Sequence, residues 1–146
     1  MGTRVAAMLA AKGSSVVTVH PSATVAQVVA ELVRHGVGAL VVSADGVRID
    51  GIVSERDVVR RMASYQGDLG AEPVTSIMSG TVETCSPDDP VEALMATMTE
   101  RRFRHLPVVD ADGALAGIVS IGDVVKSRID DLERDRRELH EYITAR

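Results

Sequence analysis

An internal repeat with an offset of 66 residues constrains the fold more than any other feature of this chain. The heptapeptide GIVSERD at 51–57 returns as GIVSIGD at 117–123, and the register holds without a gap over residues 18–59. Across those 42 positions, 13 residues are identical in the two copies. Because an unbroken register implies elements of equal length, the chain contains two copies of one supersecondary unit.

The residue pattern of each copy predicts the element order β-α-β-β-α. A β-branched run opens each copy, at 15–19 and at 81–85. Apolar residues at helical spacing follow in both copies: Val25, Val28, Val29, Leu32 and Val33, then Val91, Leu94, Met95 and Met98. Asp89 before Pro90 predicts the N-cap of the second of these helices. Asp-Gly pairs at 45–46 and 112–113 predict turns between two strands, and another helix is expected after the serine of each heptapeptide.

The predicted fold class is α/β (α+β), with two β-α-β-β-α repeats packed about a pseudo-two-fold axis, because one small sheet cannot bury its own face. The first repeat, with an N-terminal lead-in helix, is expected at 1–65. A linker and the second repeat follow at 66–130, and a C-terminal helix at 131–146. Leu132, Leu139 and Ile143 form a narrow apolar seam on that last helix, and this seam predicts a partner surface.

Charge and composition disfavour several classes of function. The formal net charge of −5 and the absence of a basic run argue against binding to nucleic acid. No stretch is long and apolar enough for a signal peptide or a membrane span, so no membrane partner and a cytoplasmic location are expected. The lone Cys85 has no visible catalytic context and excludes an internal disulfide. No metal site is predicted, because the histidines share no ligand spacing: His20, His35, His105 and His140.

The repeated heptapeptide has two interpretations. In the simpler one, Ser54 and Ser120 are helix N-caps and Asp57 and Asp123 stabilise the first turn. In the other, the free N–H groups at each helix start bind an anion, and the aspartate one turn later accepts hydrogen bonds from a vicinal diol. A phosphate together with a cis-diol describes a ribonucleotide, so two copies predict two such sites.

The whole pattern resembles the CBS domain, of which two in tandem form a CBS pair or Bateman module. The likeness rests on the element order, on the G-h-h-S-x-x-D ending and on RHLPVVD at 104–110, and it covers roughly residues 5–130. Residues 95–126 look especially like stand-alone bacterial CBS-pair proteins. The resemblance implies a cleft between the repeats with up to two adenosine-ligand sites.

Roles for individual residues follow from the same resemblance. Asp57 and Asp123 are expected to bind ribose, and Ser54 and Ser120 to contact phosphate. The adenine pocket and further phosphate contacts are expected from residues that enter the second strand of each repeat and from the end of the first strand: Thr18, Val37, Gly38, Ala39, Thr84, Arg104 and His105. Arg101 and Arg102 are equally well explained as the polar end of a helix.

The two predicted sites differ, because Arg56 in the first heptapeptide corresponds to Gly122 in the second. We expect the Asp123 site to bind more tightly, on the premise that Arg104 and His105 of its own repeat lie beside the phosphate. Gly122 leaves room beside the motif, and the small residues Gly38 and Ala39, reaching across from the other repeat, leave space for an adenine ring. If the Arg56 side chain turns into the Asp57 site and binds phosphate, the Asp57 site is instead the tighter of the two.

The predicted function is that of a non-catalytic regulatory module that binds an adenine nucleotide of the AMP, ATP or NAD class and requires no cofactor. The predicted partners are a second copy of the chain, in a homodimer of pairs, and an effector protein that the sequence does not identify. Two alternatives remain: a purely structural homodimerisation module, and a nucleotide-processing enzyme, which is disfavoured because no general base lies beside a nucleophile.

Overall fold

The structure is a computed structural model that describes residues 2–145, in which five helices accompany two small sheets. The first repeat contains β1 (Thr18–Val19), α2 (Val25–His35), β2 (Ala39–Val42), β3 (Gly51–Ser54) and α3 (Glu55–Ser64). The second contains α4 (Val91–Arg101), β4 (His105–Val109), β5 (Leu115–Ser120) and α5 (Ile121–Thr144). A lead-in helix, α1 (Val5–Lys12), precedes them, and two short 3-10 turns lie in the linker. The mixed α/β class and the paired repeat are therefore confirmed.

The first strand forms in only one of the two repeats. In the first repeat β1 pairs in parallel with β2, and Val41 N–H donates to Val17 O at 3.4 Å. In the second repeat the predicted strand at 81–85 is reduced to a single bridge between Cys85 and Val108. The residue that corresponds to Val41 is Pro107, which has no N–H to donate, so the ladder cannot extend.

The helix ends follow the sequence in one repeat and depart from it in the other. A capping box between Thr24 and Gln27 starts α2, and Gly36 in the left-handed region ends it. The predicted cap at Asp89 is wrong: its carboxylate accepts a hydrogen bond from Ser86 N at 2.9 Å, and Pro90 takes the N-cap position of α4 without a side-chain cap.

The apolar stripe of α2 is narrower than its spacing predicts. Val25, Val28 and Leu32 are buried, whereas Val29 is 39% and Val33 78% exposed. In α4 the corresponding stripe is buried at Val91, Leu94 and Met98, with Met95 packed against it. Val29 and Val33 belong to none of the hydrophobic core clusters of the described residues.

The segment that precedes each repeat in the chain packs into the hydrophobic core of the other repeat. Val5, Met8 and Leu9 of α1 lie in the core of the second repeat. Val74, with Ile77 and Met78 packed against the same cluster, lies in the core of the first. The lead-in helix expected to belong to the first repeat therefore packs with the second, and the linker packs with the first.

A pair of glycines marks where the crossed segments pass the sheets. A Cβ on Gly117 would lie 2.9 Å from Leu9 Cδ1, and a Cβ on Gly51 would lie 2.6 Å from Met78 Sδ. These glycines are the first residues of the repeated heptapeptide, so their lack of a side chain makes room for the neighbouring segment.

The C-terminal segment is the continuation of α5, which runs unbroken for 24 residues. Asp131 within it is buried and accepts hydrogen bonds from Thr3 N at 3.2 Å and Thr3 Oγ1 at 2.8 Å. Leu132, Leu139 and Ile143 are 51–60% exposed. Within residues 2–145, no helix combines the length and hydropathy needed to cross a bilayer.

Candidate functional site

The serine and aspartate of each heptapeptide form a capping box at a helix N-terminus. Asp57 N donates to Ser54 Oγ at 3.3 Å, and Ser54 N donates back to Asp57 Oδ2 at 2.8 Å. At the start of α5 the same two bonds join Asp123 and Ser120 at 3.1 and 2.9 Å. The capping interpretation is therefore confirmed. Among residues 2–145, neither Oδ1 accepts a hydrogen bond, so each carboxylate keeps one oxygen available for a ligand.

Strand register places each capping box beside the start of the neighbouring strand. Ser54, at the end of β3, pairs with Ala39 at the start of β2. Ser120, at the end of β5, pairs with His105 at the start of β4. A helix N-terminus and a strand entry thus meet at the same edge of each sheet, where the two repeats face each other.

Two cavities lie at this junction, and each combines the heptapeptide of one repeat with the strand entry of the other. The Asp57 cavity, of about 540 Å³, includes Ser54 and Asp57 together with residues 81–83 and 101–105. The Asp123 cavity, of about 500 Å³, includes Ser120 and Asp123 together with residues 15–17 and 36–39. Shifting either set of residues by 66 reproduces most of the other, so the cavities are pseudo-symmetric copies.

The cavities differ sharply in charge. Five arginines line the Asp57 cavity: Arg56, Arg60, Arg101, Arg102 and Arg104. The acidic residues there are Glu55, Asp57 and Glu83, and Glu83 forms an ion pair with Arg101 at 3.5 Å. The corresponding residues are His35, Gly36, Gly38, Gly122 and Lys126, of which only the glycines Gly36 and Gly38 line the Asp123 cavity. Lys12 is the one lysine or arginine among the described lining residues of that cavity.

The premise for a tighter Asp123 site is therefore wrong. Arg104 lines the Asp57 cavity across the repeat interface, not the cavity of the aspartate in its own repeat. Of the two residues in that premise, only His105 borders the Asp123 cavity. The sequence argument placed Arg104 beside the heptapeptide of its own repeat, whereas the packing places it beside the heptapeptide of the other repeat. The expected reach of Gly38 and Ala39 across to the Asp123 cavity agrees with the lining of that cavity.

Arg102 holds an unusual backbone conformation at the entrance to the Asp57 cavity. Its φ of 60° is the only positive value at a non-glycine residue in the described chain, and it ends α4. The equivalent residue is Gly36, with a φ of 62°. A side chain in this region costs free energy that glycine avoids, so Arg102 holds a strained backbone conformation where it lines the Asp57 cavity.

His105 separates the two cavities. A Cβ on Gly38 would lie 3.3 Å from its Cε1, so the absence of a side chain at Gly38 lets the ring cross between the repeats. Burial lowers the pKa of His105, and repulsion from Arg104 lowers it further, against the opposing attraction of Glu55 and Asp123. The ring is therefore neutral at pH 7 and can accept or donate one hydrogen bond on either side.

Lys12, at the end of α1, contacts the aspartate of the second heptapeptide. Its Nζ lies 2.6 Å from Asp123 Oδ2 and donates to Ile118 O at 2.9 Å. Burial raises the pKa of Asp123, but the hydrogen bonds from Lys12 and Ser120 outweigh it, so the pKa lies below its usual value. Repeat analysis cannot identify Lys12, because it lies outside the region where the 66-residue register holds.

Most of the residues expected at the sites do line the cavities. Val37, Ser120 and Asp123 border the Asp123 cavity; Ser54, Arg56, Asp57 and Arg104 border the Asp57 cavity; Gly38, Ala39 and His105 border both. Thr18 and Thr84 are in neither lining. Sequence reasoning missed Lys12, Arg60 and Phe103. Phe103 could have been found as the partner of Val37 in the 66-residue register.

Neither metal nor thiol chemistry finds support in the described part of the chain. Residues 2–145 contain no group of three or more His, Cys, Asp or Glu side chains placed to hold a metal ion. Burial, reinforced by the nearby charge of Asp89, raises the pKa of the Cys85 thiol to about 12, so the nucleophilic thiolate is scarce at neutral pH.

The repeat, the crossed packing and the paired cavities are those of a tandem CBS module. Residues 13–64 and 74–130 each match the CBS domain family, and the chain belongs to that family.

Known relatives share both sequence and architecture with this chain. The CBS domain-containing protein YhcV of Bacillus subtilis is 32% identical over 116 residues, which cover 80% of this chain and 81% of YhcV. The crystal structure of the CBS-domain containing protein ATU1752 from Agrobacterium tumefaciens is 42% identical with a TM-score of 0.82, covering 86% of this chain and 99% of that one. The CBS domain protein PAE2072 from Pyrobaculum aerophilum, solved as a complex with AMP, is 29% identical with a TM-score of 0.77, covering 90% and 97%.

Proposed function

We propose that this protein is a non-catalytic regulatory module that binds adenine nucleotides of the AMP, ATP or NAD class in its two cavities. The observation that carries the proposal is the paired arrangement of Asp57 and Asp123, each at a helix N-terminus with Oδ1 free and each facing a cavity of nucleotide size. The AMP complex of PAE2072 supports adenine as the base, which the physics of the motif leaves open.

In each cavity the free carboxylate oxygen accepts a hydrogen bond from the ribose diol. The five arginines make the Asp57 cavity the better site for phosphate groups, because guanidinium forms charge-assisted and often bidentate bonds to phosphate oxygens. We therefore assign Arg56, Arg102 and Arg104 to phosphate and Asp57 to ribose. Val37, Gly38 and Ala39 leave space for an adenine ring at the Asp123 cavity.

The position of the cavities between the two repeats and at the start of α5 suits a regulatory role. Ligand binding between two repeats can change how they pack and transmit the change through α5, which starts at the Asp123 cavity and extends beyond the core. We propose the segment 131–146 as the part that communicates with a second copy of the chain or with an effector protein.

A structural homodimerisation module is the second candidate, and one observation favours it. Helices α3 and α5 expose apolar side chains at equivalent positions, Val59 at 68% and Val125 at 44%, and further along at Met62 and Ile129. An apolar surface shared by the two repeats suits a two-fold interface between pairs. Such an interface is compatible with nucleotide binding, and only an absence of binding would leave it as the whole function.

The decisive experiment combines native mass spectrometry of protein purified without added nucleotide with calorimetric titrations of AMP, ATP and NAD. Asp57→Asn and Asp123→Asn, compared with the exposed control Asp130→Asn, report each cavity separately. AMP should bind about ten- to a hundredfold more tightly than its 2′-deoxy analogue, since one hydrogen bond to a carboxylate is lost. If no nucleotide binds, structural homodimerisation is the function that remains. If a nucleotide is converted to product, the protein is an enzyme.

A further inference from the structure

The lysine at the end of α1 occupies one oxygen of the carboxylate that the proposed function assigns to ribose. Lys12 Nζ reaches Asp123 Oδ2 at 2.6 Å and is held in place by Ile118 O at 2.9 Å. The two side chains are only 31% and 25% exposed, so the pair is partly withdrawn from water. A diol that approaches Asp123 must share the carboxylate with this ammonium group or displace it.

This cation is specific to one of the two cavities. The residue equivalent to Ile118 is Ile52, whose carbonyl accepts a hydrogen bond from the backbone N–H of Ser79 at 2.9 Å. A backbone amide thus takes the place that the lysine ammonium takes in the other cavity. Asp57 forms no ion pair within residues 2–145.

The ionisable residues that line the Asp123 cavity are Lys12, His105 and Asp123. Because His105 is neutral at pH 7, the charges of Lys12 and Asp123 cancel, and Lys12 alone offers a positive charge to a ligand. If the ammonium is displaced in a partly dehydrated site, it needs a new anion, since an unpaired charge there is costly. A ligand with a phosphate supplies that anion, whereas an uncharged or cationic one does not.

We propose that Lys12 is the specificity-determining residue of the Asp123 cavity, which admits ribosyl ligands with a negative charge and rejects uncharged and cationic ones. This inference rests on the proposed function. Without Lys12 the cavity carries a net charge of −1 from Asp123, and its preference should turn toward uncharged nucleosides and toward cations such as sulfonium nucleosides.

The test measures three probes by calorimetry: AMP, adenosine and S-adenosylmethionine, the last carrying a sulfonium cation. All proteins carry Asp57→Asn so that the Asp57 cavity contributes little, and the double variant Asp57→Asn, Asp123→Asn supplies the blank. The protein with Lys12 is compared with two variants. Lys12→Met keeps the length of the side chain without its charge, and Lys12→Arg keeps the positive charge. The chain has only one other lysine, so Lys126→Met on the exposed face of α5 is the matched control.

With Lys12 or Lys12→Arg, AMP should bind about ten- to a hundredfold more tightly than adenosine, the range of a lost charge-assisted bond. Lys12→Met should bring that ratio to within about threefold and should strengthen binding of S-adenosylmethionine by about tenfold or more. Lys126→Met should change neither ratio. Lys12→Gln provides the same comparison if Lys12→Met does not fold, as judged by thermal unfolding.

Unchanged ratios in Lys12→Met, with AMP still bound, would overturn this inference and leave the proposed function intact. If none of the three probes binds, even to the protein without any substitution, both the proposed function and this inference fail. A preference for AMP that is lost equally in Lys126→Met would assign the effect to the net charge of the protein and would also overturn the role of Lys12.

Discussion

Gly36 and Arg102 occupy the same position in the two repeats and share the left-handed backbone conformation, with φ values of 62° and 60°. Both residues end the first helix of their repeat, where such a conformation closes the last turn and glycine is preferred. Gly36 borders the Asp123 cavity and Arg102 the Asp57 cavity. The second repeat therefore tolerates backbone strain at the point where its arginine meets the proposed phosphate site.

Arg102→Gly should increase stability and weaken nucleotide binding at the same time. Relief of the left-handed backbone should raise the free energy of unfolding by about 1 kcal/mol, measured by chemical denaturation. Loss of one guanidinium should lower affinity for ATP by about tenfold, measured by calorimetry. The matched control Gly36→Ala introduces the same strain in the first repeat and should destabilise by about 1 kcal/mol. A variant Arg102→Gly that binds ATP normally would show that the strain serves no ligand.

The stability of the ligand-free protein should decrease as the pH falls from about 7 to about 5.5, and His105 should account for part of the decrease. Burial and Arg104 lower its pKa in the folded state, so the unfolded chain, with a pKa near 6.5, takes up the proton first. Stability is therefore full above the unfolded pKa and is lost as the pH falls toward the folded pKa.

Denaturation curves for His105→Gln should show a smaller pH dependence over that interval than those for the original protein. His140→Gln, on the exposed end of α5, is the control and should retain the full dependence. Identical slopes for His105→Gln and the original protein would mean that the ring is as easily protonated in the folded state as in the unfolded chain.

The crossed packing predicts different outcomes at Gly117 and Gly51. The stability lost by a glycine-to-alanine substitution should be partly restored by shortening the neighbouring side chain at Gly117, but not at Gly51. Gly117→Ala places a Cβ against Leu9 side-chain atoms alone, and should cost about 1–3 kcal/mol of unfolding free energy. Gly51→Ala meets Met78 Sδ and also the backbone carbonyl of Ser79 at 2.9 Å. Shortening the partner side chain can therefore relieve the first clash but not the second.

We expect Leu9→Ala to lose less stability in the Gly117→Ala background than alone, which a double-mutant cycle measures as a favourable coupling. Met78→Ala should give little coupling with Gly51→Ala, because the carbonyl clash persists. An absence of coupling between Leu9 and Gly117 would contradict the assignment of α1 to the second core, and equal couplings in both cycles would show that the Ser79 carbonyl moves aside.

Much of this architecture can be predicted from the sequence, because the repeat register and the helical periodicity are local properties. The capping boxes at Ser54 and Ser120 follow from the heptapeptide itself. The crossing of α1 to the other repeat cannot be predicted in this way, since both cores are built of interchangeable Val, Leu and Met side chains. Because this crossing is not visible in the sequence, the sequence argument assigned Arg104 to the wrong cavity. It also missed Lys12, which lies 111 residues from Asp123 in the chain.

The exposed seam on the distal half of α5 should support association of two copies of the chain. Leu139 and Ile143 are 59% and 60% exposed and have no place in either core. Replacing both with glutamate adds two charges to this surface and should weaken the dimer by about tenfold or more, measured by sedimentation across a dilution series. Truncation after Ile129 is a poorer test, because it also removes the bonds between Asp131 and Thr3.

Lys126→Glu is the control for this last prediction, because it changes the net charge by the same two units on the exposed face of the same helix. It should leave dimerisation unchanged if the apolar seam, and not the overall charge, holds the copies together. The unfolding free energy of the Leu139→Glu, Ile143→Glu variant, measured where it is monomeric, should equal that of the monomeric original protein, since neither side chain is buried within the chain. A dimer that dissociates at the same concentration in all three proteins would place the interface away from the seam. Weakening by Lys126→Glu alone would place it on the exposed apolar positions of α3 and the first half of α5, where Lys126 adjoins Val125.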